Sequence, residues 1–102
     1  MTETVPVIRA NARRRLVLTA RLRRAGQMAF CEVDNLSETG CKVKAVANFA
    51  AVGDIITIKP EALEPLTGTV RWKEDGWLGV EFDNPMYGPV VDYLANTNVS
   101  KR

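Results

Sequence analysis

The chain is 102 residues long, with 46% apolar and 25% charged residues. That suits one small globular domain with a modest core that needs no disulfide framework or structural metal. It holds two cysteines and no histidine, which rules out a four-ligand zinc site of cysteine and histidine and leaves Cys31 and Cys41 to be read as reduced, buried, small apolar residues. No apolar run approaches the roughly 20 residues needed to span a bilayer, and Met1 to Arg15 lacks the apolar stretch of a signal peptide, so the expected location is the cytoplasm.

The formal net charge is only +2, but its distribution is uneven. Arg9, Arg13, Arg14, Arg15, Arg21, Arg23 and Arg24 supply seven of the fourteen basic residues with no acidic residue among them, while Gly26 to Ser100 carries five basic and eleven acidic residues, a balance of −6. An arginine-rich arm on an acidic body points to a local anion site rather than to a face that coats long nucleic acid.

In chain order, residues 1–15 have no hydrophobic period, contain Pro6, and read as a flexible arm. From Leu16 the pattern alternates. Leu16, Leu18, Ala20 and Leu22 face one way, and Val17, Thr19, Arg21 and Arg23 the other, which is the period of a half-buried strand. Ala25-Gly26 offers a turn into a second strand over Met28 to Val33, which ends at Asp34-Asn35. A third strand spans Cys41 to Val46, with Lys42 and Lys44 on its solvated face. Residues 47–53 form a loop, and Gly53-Asp54 opens a fourth strand over Ile55 to Lys59.

The link from Pro60 to Pro65 leads into a fifth strand, Leu66 to Lys73, and Glu74-Asp75-Gly76 turns it into a sixth, Trp77 to Phe82. On the fifth strand Trp72 shares the face of Val70, which assigns it to the core. Trp77 lies opposite Leu78 and Val80, which assigns it to the surface. Either indole can serve as a stacking platform for a base, but a large aromatic on a barrel strand more often fills the core. Val90, Val91, Tyr93 and Leu94 then fall at helical spacing behind Pro89, predicting a short helix over Pro89 to Ala95. The fold class expected is all-β: a six-stranded antiparallel barrel over residues 16–97, counting its terminal helix, with a polar tail at 98–102.

Two features stand out from this pattern. One is Arg9-Ala10-Asn11-Ala12-Arg13; the other is Asn35-Leu36-Ser37-Glu38-Thr39-Gly40, at the junction of the second and third strands. Each alone has an ordinary explanation, a solvated basic tail for the first and an Asx or Ser/Thr turn for the second. In this order, on either side of a hairpin, they resemble the signature of the PilZ family, Arg-x-x-x-Arg followed by Asp/Asn-x-Ser-x-x-Gly. Gly68-Thr69-Val70-Arg71-Trp72 and Gly79-Val80-Glu81-Phe82 resemble that family's last two strands, so the likeness covers roughly residues 9 to 95.

The resemblance implies a PilZ-type barrel that binds cyclic di-GMP where the arm meets the barrel. Carried onto matching positions, Arg9 and Arg13 would grip guanine edges and phosphates, since guanine O6 and N7 match the planar guanidinium fork. Arg14 stands beside them as a further candidate, leaving open which arginine of the cluster dominates. Asn35 and Ser37, two residues apart, can converge on one face to bond a guanine or a phosphate, and Gly40 permits close backbone approach or a positive φ. The implied function is that of an effector binding one cyclic di-GMP or an intercalated pair. The ligand then orders the arm and reshapes the surface offered to a downstream protein, with an output in motility, adhesion or polysaccharide production.

Two alternatives stay open. One is a PilZ-like interaction module without nucleotide binding, and the other a small barrel that binds single-stranded nucleic acid. An enzyme is not expected, because the chain shows no Ser/Lys or Cys/His pair and no phosphate-cradling glycine loop. No metal, cofactor or membrane partner is expected. Asn35-Leu36-Ser37 and Asn98-Val99-Ser100 also fit the N-glycosylation pattern, which is set aside for want of an export signal.

Overall fold

The computed structural model describes residues 14–61 and 63–98. Arg9, Arg13, the rest of the expected arm up to residue 13, and the tail beyond residue 98 lie outside the described residues. Six strands are formed, β1 (Leu18–Arg24), β2 (Gln27–Asp34), β3 (Gly40–Lys44), β4 (Ile55–Pro60), β5 (Leu66–Glu74) and β6 (Trp77–Phe82), followed by one helix, α1 (Gly88–Thr97). All pairings are antiparallel, and the order β1-β2-β3-β6-β5-β4 closes on itself through β1 and β4. Closure gives every one of these strands two neighbours, although β2 meets β3 only over Glu32–Asp34, so among the described residues its first half is paired on the β1 side alone.

Alternation decides what goes inside. Ala20 and Leu22 of β1, Cys31 and Val33 of β2, Cys41 and Val43 of β3, Ile56 and Ile58 of β4, Val70 of β5, and Leu78, Val80 and Phe82 of β6 are buried together. Leu16 and Leu36 join them from outside the strands, as do Phe49 and Ala50 from the β3–β4 connection and Val91, Leu94 and Ala95 from α1. Both thiols are buried, and desolvation raises the Cys31 thiol from 9.0 to about 11, against a smaller opposing hydrogen bond from the Ala20 backbone. The Arg24 guanidinium donates to the Phe49 carbonyl at 2.8 Å and lies 3.7 Å from Asp54, holding the β3–β4 connection against the first hairpin.

The two tight hairpins share one geometry. Ala25 and Gly26 have φ of 47° and 89°, and Asp75 and Gly76 have 53° and 85°, so both turns are left-handed at both central positions, which matches the twist of the flanking strands. Asp-Gly suits that conformation; Ala-Gly satisfies it only at its second residue.

One expectation is overturned in β5. Val70 pairs with Val80, but Trp72 pairs with Gly79, so Arg71 is an extra residue on the β5 side, a β-bulge. One inserted residue flips the side chains that follow. Trp72 therefore leaves the core face of Val70 and lies outside the barrel, 44% exposed. Trp77 is half-buried, with the Lys42 ammonium 4.6 Å and the Lys44 ammonium 5.7 Å from its ring. Among the described residues no helix is long and apolar enough to cross a membrane.

Candidate functional site

The turn between β2 and β3 fixes the site. Asn35, the first residue after β2, has φ 56°, a left-handed conformation that asparagine tolerates better than most residues. Its N–H donates to Asp34 Oδ1 at 2.6 Å. Ser37 is fully buried: its hydroxyl accepts from the Thr39 N–H at 3.2 Å and donates to the Gly40 carbonyl at 3.3 Å, while its own N–H donates to that carbonyl at 2.8 Å. This is a serine turn closed on itself. Gly40 has an ordinary φ but presses on β6, where a Cβ would meet the Val80 carbonyl oxygen at 2.3 Å. The glycine is therefore required by close approach. Beyond the turn, the Thr39 carbonyl accepts from the Phe82 N–H and the Glu38 carbonyl from the Met86 N–H, so the same six residues also anchor the chain that leaves β6.

The arm enters at this turn. Arg14 and Leu36 exchange two backbone hydrogen bonds, of 2.7 and 2.9 Å, as an isolated antiparallel bridge. The Arg14 side chain runs to α1, donating to Asp92 at 2.5 Å and to Asn96 at 3.3 Å. Arg15 donates to both oxygens of Asp34, at 3.2 and 3.1 Å. Asp34 also accepts from the Leu16 N–H at 3.0 Å. Burial alone would push the Asp34 carboxyl up, but the Leu16 N–H, the Arg15 side chain, the Asn35 N–H and the Arg15 charge together outweigh it and hold the carboxyl below its ordinary 3.8. Arg14 and Arg15 thus tie the root of the arm to the barrel and the helix. Arg13 precedes the bridge by one peptide unit, about 3.8 Å, and Arg9 by at most about 17 Å of extended chain.

Beside the turn, a cleft opens on the outer wall of the barrel across β3, β6 and β5, with a volume of about 260 Å³. Asn35 and Thr39 line its end nearest the arm, Lys42 one side, and Arg71, Trp72 and Glu81 the other. Its floor is Gly79, paired with both Lys42 and Trp72. The indole occupies the space over that glycine: a Cβ on Gly79 would sit 2.0 Å from Trp72 Nε1. The Arg71 guanidinium meets Glu81 at 2.7 Å. An indole, an amide, a hydroxyl and the Lys42 ammonium, beside an Arg71–Glu81 ion pair, suit a flat heteroaromatic ring by stacking and hydrogen bonding, with one positive charge, in no ion pair among the described residues, for an anion it carries.

Of the residues assigned from sequence, Asn35 lines this cleft, Gly40 shapes the turn next to it, Ser37 faces inward within that turn, and Arg14 is directed to α1. Lys42, Arg71 and Glu81 were not singled out by sequence, and Trp72 was assigned to the core. Their signal is the cross-strand row Lys42–Gly79–Trp72, which requires the pairing of strands distant in sequence. Among the described residues no cluster of potential metal ligands occurs.

No curated protein is significantly similar to the chain. The family model for the PilZ domain, by contrast, matches residues 8–92, a span that contains the arginine pair, the Asn35–Gly40 turn and all six strands of the barrel. By that match the chain belongs to the PilZ domain family.

Proposed function

We propose that this chain is a cyclic di-GMP receptor whose nucleotide lies in the cleft across β3, β6 and β5, against the Trp72 indole that covers Gly79. PilZ domains are binding modules, known for cyclic di-GMP, rather than enzymes. In this reading one guanine stacks on the exposed indole of Trp72, the Asn35 side chain meets a base edge or phosphate, and Lys42 adds positive charge. Arg9 and Arg13, reaching in from the segment before Arg14, supply the guanidinium forks for guanine O6 and N7 and for the phosphates. Ser37 and Gly40 act indirectly, by holding the turn that aims Asn35. Arg14 and Arg15 act as anchors of the arm.

The observation that carries the reading is the Arg14–Leu36 bridge. It ties the chain immediately after Arg13 to the middle of the Asn35-x-Ser37 turn, which supports a reading in which the two halves of the signature, far apart in sequence, act on one ligand. Arg71 is held by Glu81, which leaves the cleft short of positive charge on its own, and the arm arginines are what would make it an anion site. Binding should then couple the arm to the surface presented to a partner protein, with an output in motility, adhesion or polysaccharide production, inside the cell.

Calorimetric titration with cyclic di-GMP tests this. Wild-type protein should bind with saturable heat. Trp72→Ala, at an exposed position, should cost about 1–3 kcal/mol for the lost stacking, and Arg13→Ala about 1–3 kcal/mol for a lost bidentate contact. No heat at high micromolar nucleotide with folded wild-type protein would overturn the reading in favour of a PilZ module that works by protein contact alone. Undiminished affinity in both variants would remove the cleft and the arm from the site.

A further inference from the structure

The outer wall on the β1–β2–β4 side carries a second surface that the nucleotide reading leaves unused. Phe30, at the centre of β2, points outward and is 67% exposed, with Met28 two residues away at 48%. Phe30 pairs with Arg21, which pairs on its other side with Lys59; Met28 pairs with Arg23. Two cations therefore stand directly opposite each other across neighbouring strands, an arrangement that destabilises a sheet. Neither Arg21 nor Arg23 forms an ion pair with any described residue. Between Phe30 and Lys59 the wall is dished into a cleft of about 280 Å³, with Glu61 at its rim. None of these residues lines the cleft across β3, β6 and β5.

An exposed aromatic and a methionine, beside three cations, Arg21, Arg23 and Lys59, that form no ion pair among the described residues and outnumber the nearby Glu32 and Glu61, match an occupant with apolar side chains flanked by carboxylates. β2 pairs with β3 only over Glu32–Asp34, but a strand added beside Phe30 would extend the sheet away from Arg21 and Lys59 on the neighbouring strands, so an occupant that engages all of these side chains docks across the outer face. Glu32, beside Phe30 on the outer face, and Glu61 oppose an anionic lipid surface, whereas a protein segment can set a cation against each. A second copy docked symmetrically through this face would bring like charges together.

We infer that this face docks an acidic amphipathic helix of a partner protein, its apolar side chains on Phe30 and Met28 and its carboxylates on Arg21, Arg23 and Lys59. The inference rests on the effector reading for the existence of a partner, and it names where that partner sits: on the wall away from the nucleotide cleft, reached through β2 and the arm bridge at Leu36.

The test is panning of a random-peptide phage library on the full chain, with and without cyclic di-GMP, followed by binding of the enriched peptides to Phe30→Ala and to the double variant Arg21→Glu/Lys59→Glu. The expected consensus has apolar residues at helical spacing flanked by Asp or Glu, and each variant should weaken its binding roughly tenfold or more. Both changes lie on the exposed wall, and thermal melts and calorimetry with cyclic di-GMP should find fold and nucleotide affinity unchanged. No enrichment, a consensus without carboxylates, or equal binding to both variants overturns the docking face. So does sedimentation with phosphatidylglycerol vesicles that Phe30→Ala abolishes, since that assigns the face to a membrane. Loss of nucleotide binding in the wild type would instead strike the effector reading and leave the peptide result standing.

Discussion

Asp34 shows how a residue next to the site serves the fold first. Buried at the end of β2, its carboxylate accepts from Leu16, Asn35 and Arg15, so it joins the arm's root to the signature turn. Its folded pKa lies below the unfolded one. The stability it contributes is thus present above the ordinary 3.8 and is lost as pH falls through the lower, folded value. Asp34→Asn should therefore lower stability at neutral pH by about 1.5–3 kcal/mol, the range for hydrogen bonds to a charged group, and flatten the acid end of a plot of Tm against pH. Equal acid sensitivity in variant and wild type would contradict the assignment. The Arg14–Asp92 pair is more exposed and contributes less, since surface ion pairs are worth about 1 kcal/mol or under.

The same residues mark what could and could not be read in advance. The Arg-x-x-x-Arg and Asn-x-Ser-x-x-Gly pattern was legible because the residue types and their order are distinctive. That Arg14 and Arg15 are taken up by Asp92 and Asp34, and that Ser37 turns inward, was not, because those partners lie up to 78 positions away or depend on turn geometry rather than on composition.

At the scale of elements, strand alternation was the strongest signal, and it located all six strands to within a few residues. It failed at β5. Extending a period of two from Val70 to Trp72 assumes an unbroken ladder, and the bulge at Arg71 breaks it. That single insertion moves an indole from the core to the cleft. The order in which β3 meets β6 could not be read from local pattern either, yet it builds the row from Lys42 through Gly79 to Trp72.

The hairpins offer a cleaner test of local physics. Both use the same left-handed pair of central residues, but Asp75-Gly76 is the favoured sequence and Ala25-Gly26 is not. A left-handed alanine costs about 1–2 kcal/mol, part of which asparagine recovers. Ala25→Asn should accordingly stabilise the protein by about 0.5–1 kcal/mol and raise Tm by a few degrees. A neutral or destabilising outcome by thermal denaturation would mean that the turn relaxes to another type in solution.

For the whole molecule, barrel closure separates two working walls. One, across β3, β6 and β5, holds the cleft beside Arg14 and the signature turn; the other, across β1, β2 and β4, holds Phe30 among cations that form no ion pair among the described residues. Strand β2 links the two walls, because it ends at Asp34, next to Asn35, and its middle carries Phe30. The helix is tied to the arm through Arg14 and through the Val17 N–H, which donates to the Asn98 carbonyl at 2.7 Å. A nucleotide that recruits the arm would therefore pull on a segment already bonded to the turn, to α1 and to β1. Such coupling needs no change in the barrel itself.

The central claim is a location: cyclic di-GMP in the cleft across β3, β6 and β5, against the Trp72 indole that covers Gly79. A ¹H–¹⁵N NMR titration with the nucleotide tests it most directly, because the Trp72 indole N–H, the Gly79 amide and the Asn35 side-chain amide report separately from the wall around Phe30. The account predicts saturable shifts at those three groups and at the Arg13 and Arg14 amides, with the amides of Arg21 and Lys59 shifting little. A spectrum unchanged at saturating nucleotide, or shifts confined to the β1–β2–β4 wall, would contradict it.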